Sequence, residues 1–456
     1  LLLWKARSSF RYSCIKAFNL LINHVYLRQF NWEYQGMAQI GNYLFLPKLQ
    51  KHKIPYGEHA RATIFERQLS NISKEVKYCK KCVVSNQRPR IVFDGGGVCG
   101  ACRWAEEKER VVDWDERREN FQELLNKHRS SDGKFDVIVP CSGGKDSGSI
   151  AHRLKYEYDM NPLSVTWAPL QYTEIGFQNL QNMCNSGISS HLFTPNRILQ
   201  RKISKLGLVL IGNHFEAFGR GQISYAFHVA LDMGIKLVMF GENGELEYGG
   251  TLKNKDNPGQ PIGDWIELYH KGAHTHEMVQ FGVENGYIEK DELNDPSLKY
   301  YSPPPGELLE EAGVEFHWFG YYHKWIPQEN FYYVSENYGF RTNPEGHSEG
   351  TYNKYASLDD HTDPMHYYLS FVKFGIGRAT SDAAHEIREG HLTREEGVAL
   401  VYRYDHIFPD KYFDDFLRYV DMTAEEFWEV VDAYREKRPN LWEKVNGEWE
   451  LKHRVS

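Results

Sequence analysis

A short hydrophobic run that leads into a glycine turn constrains this chain more than any other feature. Residues 135–147 read FDVIVPCSGGKDS, the order of a strand, a tight loop and the start of a helix. Gly143 and Gly144 let backbone N–H groups approach an anion, and the helix N-terminus adds partial positive charge. Further donors are Ser142, Lys145 and Ser147. The segment predicts a phosphate-binding loop, with Asp146 available for magnesium.

Strand-like and helix-like runs alternate from residue 134 onward. We predict strands over residues 135–140, 163–167, 191–194 and 235–240. We predict helices over residues 147–158, 174–186, 197–206 and 222–233. Such alternation is typical of an α/β fold with a doubly wound parallel sheet. Beyond residue 300 the predicted elements are mainly helices, over residues 382–388, 394–404 and 424–435.

Two close pairs of cysteines precede this region. Cys79 and Cys82 are separated by two residues, as are Cys99 and Cys102, and 16 residues lie between the pairs. This spacing allows two tight turns to present four thiolates to one zinc ion. The alternatives are an iron–sulfur cluster and four cysteines without a metal. We predict a closed, structural zinc site.

The chain of 456 residues is long enough for two or three domains. We predict an N-terminal extension over 1–75, a four-cysteine module with a linker helix over 76–130, a phosphate-loop α/β domain over 131–300 and a mainly helical substrate or partner domain over 301–456. Residues 1–36 are basic, and we interpret them as preceding a translation start at Met37; a transit peptide is the alternative.

Composition narrows the class of protein. No stretch approaches the roughly 18 consecutive apolar residues of a membrane span, so we expect no membrane partner. The formal charge of −8 argues against a nucleic-acid partner, since phosphate binding needs clustered Lys and Arg. Paired thiols suited to metal indicate a reducing compartment, and we predict a cytoplasmic protein.

The loop itself resembles a known signature. Ser142-Gly-Gly-Lys-Asp-Ser147 is similar, residue for residue, to the Ser-Gly-Gly-x-Asp-Ser motif of PP-loop ATPases. It lacks the spacing of a Walker A loop. The resemblance implies an adenine nucleotide alpha hydrolase-like fold and cleavage of ATP to AMP and pyrophosphate. By position, Thr166 would border the adenosine, and Gly241 with Glu242 would close over the phosphates.

Further segments are similar to the N-acetyl sugar amidotransferases, from about Cys79 to the C-terminus. They are the cysteine pairs and residues 172–176, 241–250, 349–355, 357–360, 373–380 and 386–397. This resemblance implies an ATP-dependent carbon–nitrogen ligase in lipopolysaccharide O-antigen or related surface-glycan biosynthesis. It would convert an N-acetyl group of a nucleotide-activated sugar to an acetamidino group through an O-adenylyl imidate.

The implied reaction assigns roles to residues and partners. Lys145 would stabilise charge on the departing pyrophosphate and Asp146 would bind Mg²⁺, so both are the predicted catalytic residues. The candidate substrate contacts are Lys354, Asp359, Asp360, Arg378 and Asp382. The chain shows no glutaminase nucleophile motif, so the resemblance implies a separate glutaminase subunit as the source of ammonia, with or without an ammonia-conducting barrel protein.

Two other functions stay open on sequence grounds. A PP-loop sulfurtransferase that modifies tRNA would use Cys141 or Cys184 as the sulfur carrier. The acidic net charge and the sugar-family segments argue against it. A non-catalytic nucleotide-sensing or scaffold subunit is the second alternative, and the intact Lys145, Asp146 and Ser147 argue against that one.

Overall fold

A five-stranded parallel sheet lies at the centre of the computed structural model. Its strand order is β3-β2-β1-β4-β5, and every neighbouring pair is parallel. The strands are β1 (Val137–Pro140), β2 (Pro162–Trp167), β3 (Ser189–Phe193), β4 (Leu237–Phe240) and β5 (Glu315–Trp318). The predicted α/β class with a parallel sheet is confirmed.

The structure describes residues 46–49, 66–259 and 275–456. From residue 49 onward the described residues belong to one compact unit. Residues 1–36 and the proposed start at Met37 lie outside the described residues, as does most of the predicted extension over 1–75.

Helices surround the sheet. Those before and between its strands are α1 (Gly100–Arg110), α2 (Trp114–His128), α3 (Lys145–Tyr156), α4 (Glu174–Asn185), α5 (Arg197–Ile211), α6 (Glu216–Met233), α7 (Gly244–Tyr248), α8 (Thr275–Glu284) and α9 (Gly306–Glu311). Those after it are α10 (Phe319–Tyr322), α11 (Pro327–Tyr338), α12 (Asp363–Phe374), α13 (Arg378–Arg388), α14 (Arg394–Tyr404), α15 (Phe413–Val420) and α16 (Ala424–Glu436). A hairpin of β6 (Trp442–Val445) and β7 (Glu448–Leu451) follows.

The sheet is covered on both faces because alternate residues of its strands pack into different cores. Ile138 of β1 belongs to a core that includes residues of α5, α6, α12 and α16. Its neighbours Val137 and Val139 belong to a second core with residues of α2, α3 and α11. All three side chains are fully buried. This two-sided burial explains the continuous hydrophobic run that precedes the glycine loop.

Two sequence-based expectations need correction. The sequence predicts a single linker helix within residues 76–130, but the chain forms two helices, α1 and α2, with a break at residues 111–113. The Asp113 side chain accepts hydrogen bonds from the amides of Asp115 and Glu116, which starts a new helix. The sheet also extends beyond residue 300, because β5 pairs with β4. Its four residues, EFHW, lack the apolar run used to recognise the other strands.

Candidate functional site

The four cysteines converge on one point. Cys79 and Cys82 lie in a loop that precedes α1 in the chain. Cys99 is the N-cap residue of α1, and Cys102 lies in the first turn of that helix. Their Sγ atoms all lie within 4.8 Å of one another, and each side chain is at most 3% exposed. The Cys79–Cys102 and Cys82–Cys99 sulfur pairs are 3.8 Å apart. Tetrahedral zinc with bonds of about 2.3 Å requires a sulfur separation of about 3.8 Å.

Backbone groups complete the cysteine cluster. The amides of Lys81 and Cys99 donate to Cys79 Sγ at 3.4 and 3.3 Å, as expected around a thiolate. The sulfur separations exceed a disulfide bond of about 2.05 Å, and the cysteines are free thiols. The cluster is buried and can hold a metal such as zinc, in agreement with the donor set predicted from the spacing.

The predicted phosphate loop connects β1 to α3. Gly143 has φ of 90°, and a Cβ atom there would lie 2.8 Å from Leu180 Cα, so glycine is required. Gly144 is the N-cap of α3, and Lys145 begins the helix. The loop lies at the carboxyl edge of the sheet beside the β1–β4 pair, where strand order reverses. Ligands bind at such reversals in open α/β sheets.

Lys145 and Asp146 form the polar end of this loop. Lys145 is 8% exposed, and its ammonium contacts the Asp146 carboxylate and lies 5.1 Å from the centre of the Tyr355 ring. The other carboxylate oxygen of Asp146 accepts from Asn330 Nδ2 at 3.0 Å. Asn330 belongs to α11, so a residue distant in sequence fixes the orientation of Asp146.

Glu242 follows β4 and faces the same region. Its Oε1 accepts a hydrogen bond from the Tyr248 hydroxyl at 3.1 Å. Burial raises the pKa of Glu242 to about 7, and the negative charge of Asp146 adds to this shift. The carbonyl of Gly241 accepts from the Gly320 amide at 3.1 Å. The structure therefore places Glu242 close to Asp146 and Lys145, and closure of Gly241 and Glu242 over phosphates stays a prediction.

Two adjoining cavities open at this edge. The first, which we call the loop cavity, has a volume of about 350 Å³. Its walls include Lys145, Asp146, Glu242, Tyr248, Tyr355, Arg378, Asp382 and His385. Of the six loop residues 142–147, Lys145 and Asp146 contribute to this wall. Ser142 instead interacts with Asp359 and Ser147 with Cys141, and in each case the serine partly offsets the rise in pKa that burial causes.

The second, which we call the sheet-edge cavity, has a volume of about 530 Å³. Residues at the ends of β1, β4 and β5 form its floor: Pro140, Phe240, Gly241 and Trp318. Arg88 and Arg90, from the loop between the cysteine pairs, contribute to its wall. Arg88, Glu242 and Tyr248 line both cavities, so the two spaces share a boundary.

The predicted substrate residues separate into two groups. Arg378 and Asp382 line the loop cavity, and Arg378 Nε donates to Asp382 Oδ1 at 3.0 Å. Asp382 Oδ2 accepts from the Thr351 hydroxyl at 2.7 Å. Lys354 is exposed, lies 5.1 Å from the Phe331 ring centre and contributes to neither cavity wall.

Two predicted contacts are placed away from the cavities. Asp360 is 1% exposed, and its carboxylate accepts from the amides of Leu170, Gln171 and Thr362 and from the Thr362 hydroxyl. We therefore correct its assignment from substrate contact to structural carboxylate. Thr166 is fully buried within β2 and lines neither cavity, so its predicted place beside a nucleoside gains no support from the structure. Asp360 was selected for its chemical type and Thr166 for its position at the end of a predicted strand, and neither criterion reveals burial.

Sequence reasoning missed Arg88 and His385, which line the loop cavity, and Asn330, which donates a hydrogen bond to Asp146 in its wall. Each lies far along the chain from residues 142–147, and packing of separate segments brings it to the cavity. The available signal was weak: Arg88 precedes a proline between the cysteine pairs, and His385 lies on a predicted helix.

No helix in the described ranges is long and apolar enough to cross a bilayer. A search of curated proteins found no match. Residues 349–456 match the family model described as LPS biosynthesis protein WbpG-like, C-terminal domain. This segment contains Arg378, Asp382 and His385 of the loop cavity. The C-terminal part of the chain is therefore similar to an LPS-biosynthesis-related family.

Proposed function

We propose that the protein is an ATP-dependent carbon–nitrogen ligase that converts an N-acetyl group of a nucleotide-activated sugar to an acetamidino group. One observation carries the proposal. Lys145 and Asp146 of the phosphate loop share a cavity with Arg378 and Asp382 of the WbpG-like segment. That segment also supports a role in lipopolysaccharide biosynthesis, which we narrow to O-antigen or a related surface glycan.

The chemistry explains why a phosphate loop is needed. An amide carbon is a poor electrophile, so its oxygen first attacks the α-phosphorus of ATP and pyrophosphate departs. Ammonia then displaces AMP from the O-adenylyl imidate. Lys145 and the amides at the start of α3 stabilise charge on the departing pyrophosphate.

The acidic residues of the site fit a magnesium ion. Asp146 and Glu242 line one cavity, and the carboxylate of Asp146 contributes to the raised pKa of Glu242. Two neighbouring carboxylates with this mutual effect are suited to a divalent cation. We propose Asp146 as its holder, with Asn330 positioning the carboxylate. Magnesium would neutralise phosphate charge during the adenylylation step.

The paired cavities fit two polar substrates. In our proposal, the nucleoside of ATP occupies the sheet-edge cavity and the phosphates extend to the loop. The N-acetyl group of the sugar enters the loop cavity beside Arg378 and Asp382. Arg88 lines both spaces and provides a guanidinium group suited to phosphates. Ammonia is supplied by a separate glutaminase subunit, with or without a barrel protein that conducts it.

The sulfurtransferase alternative loses support. Cys141 is 2% exposed, and burial raises the pKa of its thiol to about 11. Neither Cys141 nor Cys184 lines the loop or sheet-edge cavity. A sulfur carrier requires an accessible thiolate.

A pyrophosphate-release assay tests the proposal. The protein is incubated with ATP, Mg²⁺ and ammonium against a panel of N-acetylated nucleotide sugars and bulk tRNA, and the products are weighed by mass spectrometry. We expect AMP and a sugar in which NH replaces one oxygen, with both lost in Lys145→Ala. Pyrophosphate release with tRNA alone would refute the sugar assignment.

A further inference from the structure

His385 on α13 has an unusual environment. The side chain is 6% exposed, and neither ring nitrogen has a hydrogen-bond partner within the described part of the chain. The ring lies edge-on to Tyr248, with centres 5.0 Å apart. His385 also lines the loop cavity together with Lys145 and Asp146. Leaving a buried polar group unpaired destabilises a protein, and a bound ligand that pairs with the group offsets this cost.

A buried ionic cluster lies beside this histidine. Carboxylate oxygens of Glu247 and Glu389 lie within 4.8 Å of a His385 ring nitrogen and of each other. The Lys108 ammonium contacts Glu247 at 2.9 Å and Glu389 at 3.4 Å. Glu247 also accepts from Trp104 Nε1 at 2.9 Å. Because the Lys108 ammonium already lies between these carboxylates and balances one of their two charges, the cluster does not call for a metal ion.

The surrounding charges favour the neutral ring. Burial lowers the pKa of His385 well below its usual range, and nearby cations add to the shift. The charged and titratable groups that face the ring are Lys108, Lys145, Glu247, Tyr248, Arg378, Arg388 and Glu389. A neutral imidazole has one nitrogen with a free lone pair, which can accept a proton.

We propose that His385 is the general base that removes a proton from the attacking nitrogen in the second step of the reaction. This inference rests on the proposed function and adds a role that the phosphate loop does not supply. It follows from the unpaired ring, its place in the wall of the loop cavity and the adjacent carboxylates of Glu247 and Glu389.

Atoms and charge are conserved in the proposed step. The adenylylated amide keeps its N–H proton, and the ammonia lone pair forms a bond to the imidate carbon. The added nitrogen then carries three hydrogens and a positive charge, and one proton moves to the lone pair of His385. The carbon–oxygen bond breaks, its electron pair leaves with AMP, and the amidinium product remains. His385 later releases the proton to water.

Without a base, the charged nitrogen of the adduct leaves again as ammonia. Bound phosphates would offset the charges of Lys145 and Arg378, which makes the ring a better proton acceptor when both substrates are present. Glu247 and Glu389 would stabilise the resulting imidazolium. Proton acceptance is thus coupled to occupancy of the cavity.

The test compares two nucleophiles in His385→Asn, since asparagine cannot accept the proton. Hydroxylamine is a weaker base than ammonia, so its adduct loses a proton more readily without help. In single turnovers with ammonium we expect amidine formation to fall by about 10²–10⁴-fold, the usual contribution of general base catalysis. Pyrophosphate release stays near the wild-type rate. With hydroxylamine, the fold decrease in the rate of product formation is at least tenfold smaller than with ammonium.

His214→Asn is the matched control. His214 is fully buried, its ring nitrogens also have no hydrogen-bond partner among the described residues, and it lines neither cavity. If His214→Asn lowers the rate of product formation, we expect the same fold decrease with ammonium and with hydroxylamine. The proposal would be overturned if His385→Asn lowered the rate of product formation equally with both nucleophiles. It would also be overturned if pyrophosphate release fell in parallel. If His385→Asn does not fold, His385→Gln receives the same comparison. Wild-type protein that forms no amidine would refute the proposed function instead.

Discussion

The cysteine cluster and the phosphate loop share one local structure but differ in how far their side chains are exposed. Each is a tight turn that enters a helix: Cys99 caps α1, and Gly144 caps α3. In the cluster, side chains converge on one another and are at most 3% exposed. In the loop, Lys145 and Asp146 face a cavity of about 350 Å³. The first arrangement is closed and suited to a structural metal, whereas the second leaves charged groups facing a cavity.

Removing one cysteine of the cluster should destabilise the protein more than any other change proposed below. Cys82→Ala removes one of four thiolates, and we expect zinc loss together with a large share of the about 10 kcal/mol that structural zinc sites contribute. Metal analysis and thermal unfolding measure both. An unchanged melting temperature in a zinc-free variant would contradict a structural role for the metal.

The next effect concerns the buried cluster between the two regions. Lys108→Met leaves the carboxylates of Glu247 and Glu389 without their cation, and we expect a loss of about 3–5 kcal/mol in the free energy of unfolding. Denaturant unfolding measures it. The control is Lys127→Met, which removes an exposed pair with Glu315 and should cost less than about 1 kcal/mol.

A substitution in the phosphate loop should lower the activity of the protein without lowering its stability. Lys145→Ala removes the cation proposed to stabilise pyrophosphate, and we expect the rate of pyrophosphate release to fall by about 10²–10³-fold. The melting temperature should stay close to that of the wild type. Lys354→Ala removes an exposed lysine outside both cavities and should retain full activity. A similar loss in both variants would contradict the assignment.

The smallest effect is a dependence of stability on pH. The pKa of Glu242 is raised to about 7 in the folded protein from an ordinary value of 4.5, because burial disfavours its charge. The folded state therefore binds more protons, and stability contributed by this group is present below pH 4.5 and lost as pH rises through 7.

Glu242→Gln removes this cost, so we expect the variant to gain about 3 kcal/mol over the wild type at pH 8 and little at pH 4.5. Unfolding free energies of the ligand-free proteins across this range provide the measurement. The exposed Glu284→Gln is the control and should reproduce the wild-type curve. A gain that does not vary with pH would contradict the assignment to Glu242.

The comparison also explains what the sequence could and could not predict. The cysteine quartet and the loop at residues 142–147 depend on spacing within short segments, so both were found from the sequence alone. The cavity walls depend on tertiary packing: Asn330 reaches Asp146 across 184 positions, and no local pattern indicates this contact. Asp360 shows the converse error, because a carboxylate chosen for its chemistry is held by backbone amides in the interior.

The placement of Arg88 and Arg90 has a consequence for protein engineering. Both residues belong to the stretch between the cysteine pairs, and both line the sheet-edge cavity. Trimming the chain to a fragment that starts after Cys102 would remove part of the wall of the sheet-edge cavity as well as the four thiols. Chimeras between related proteins should therefore exchange the cysteine segment and the α/β core together, as one inherited block.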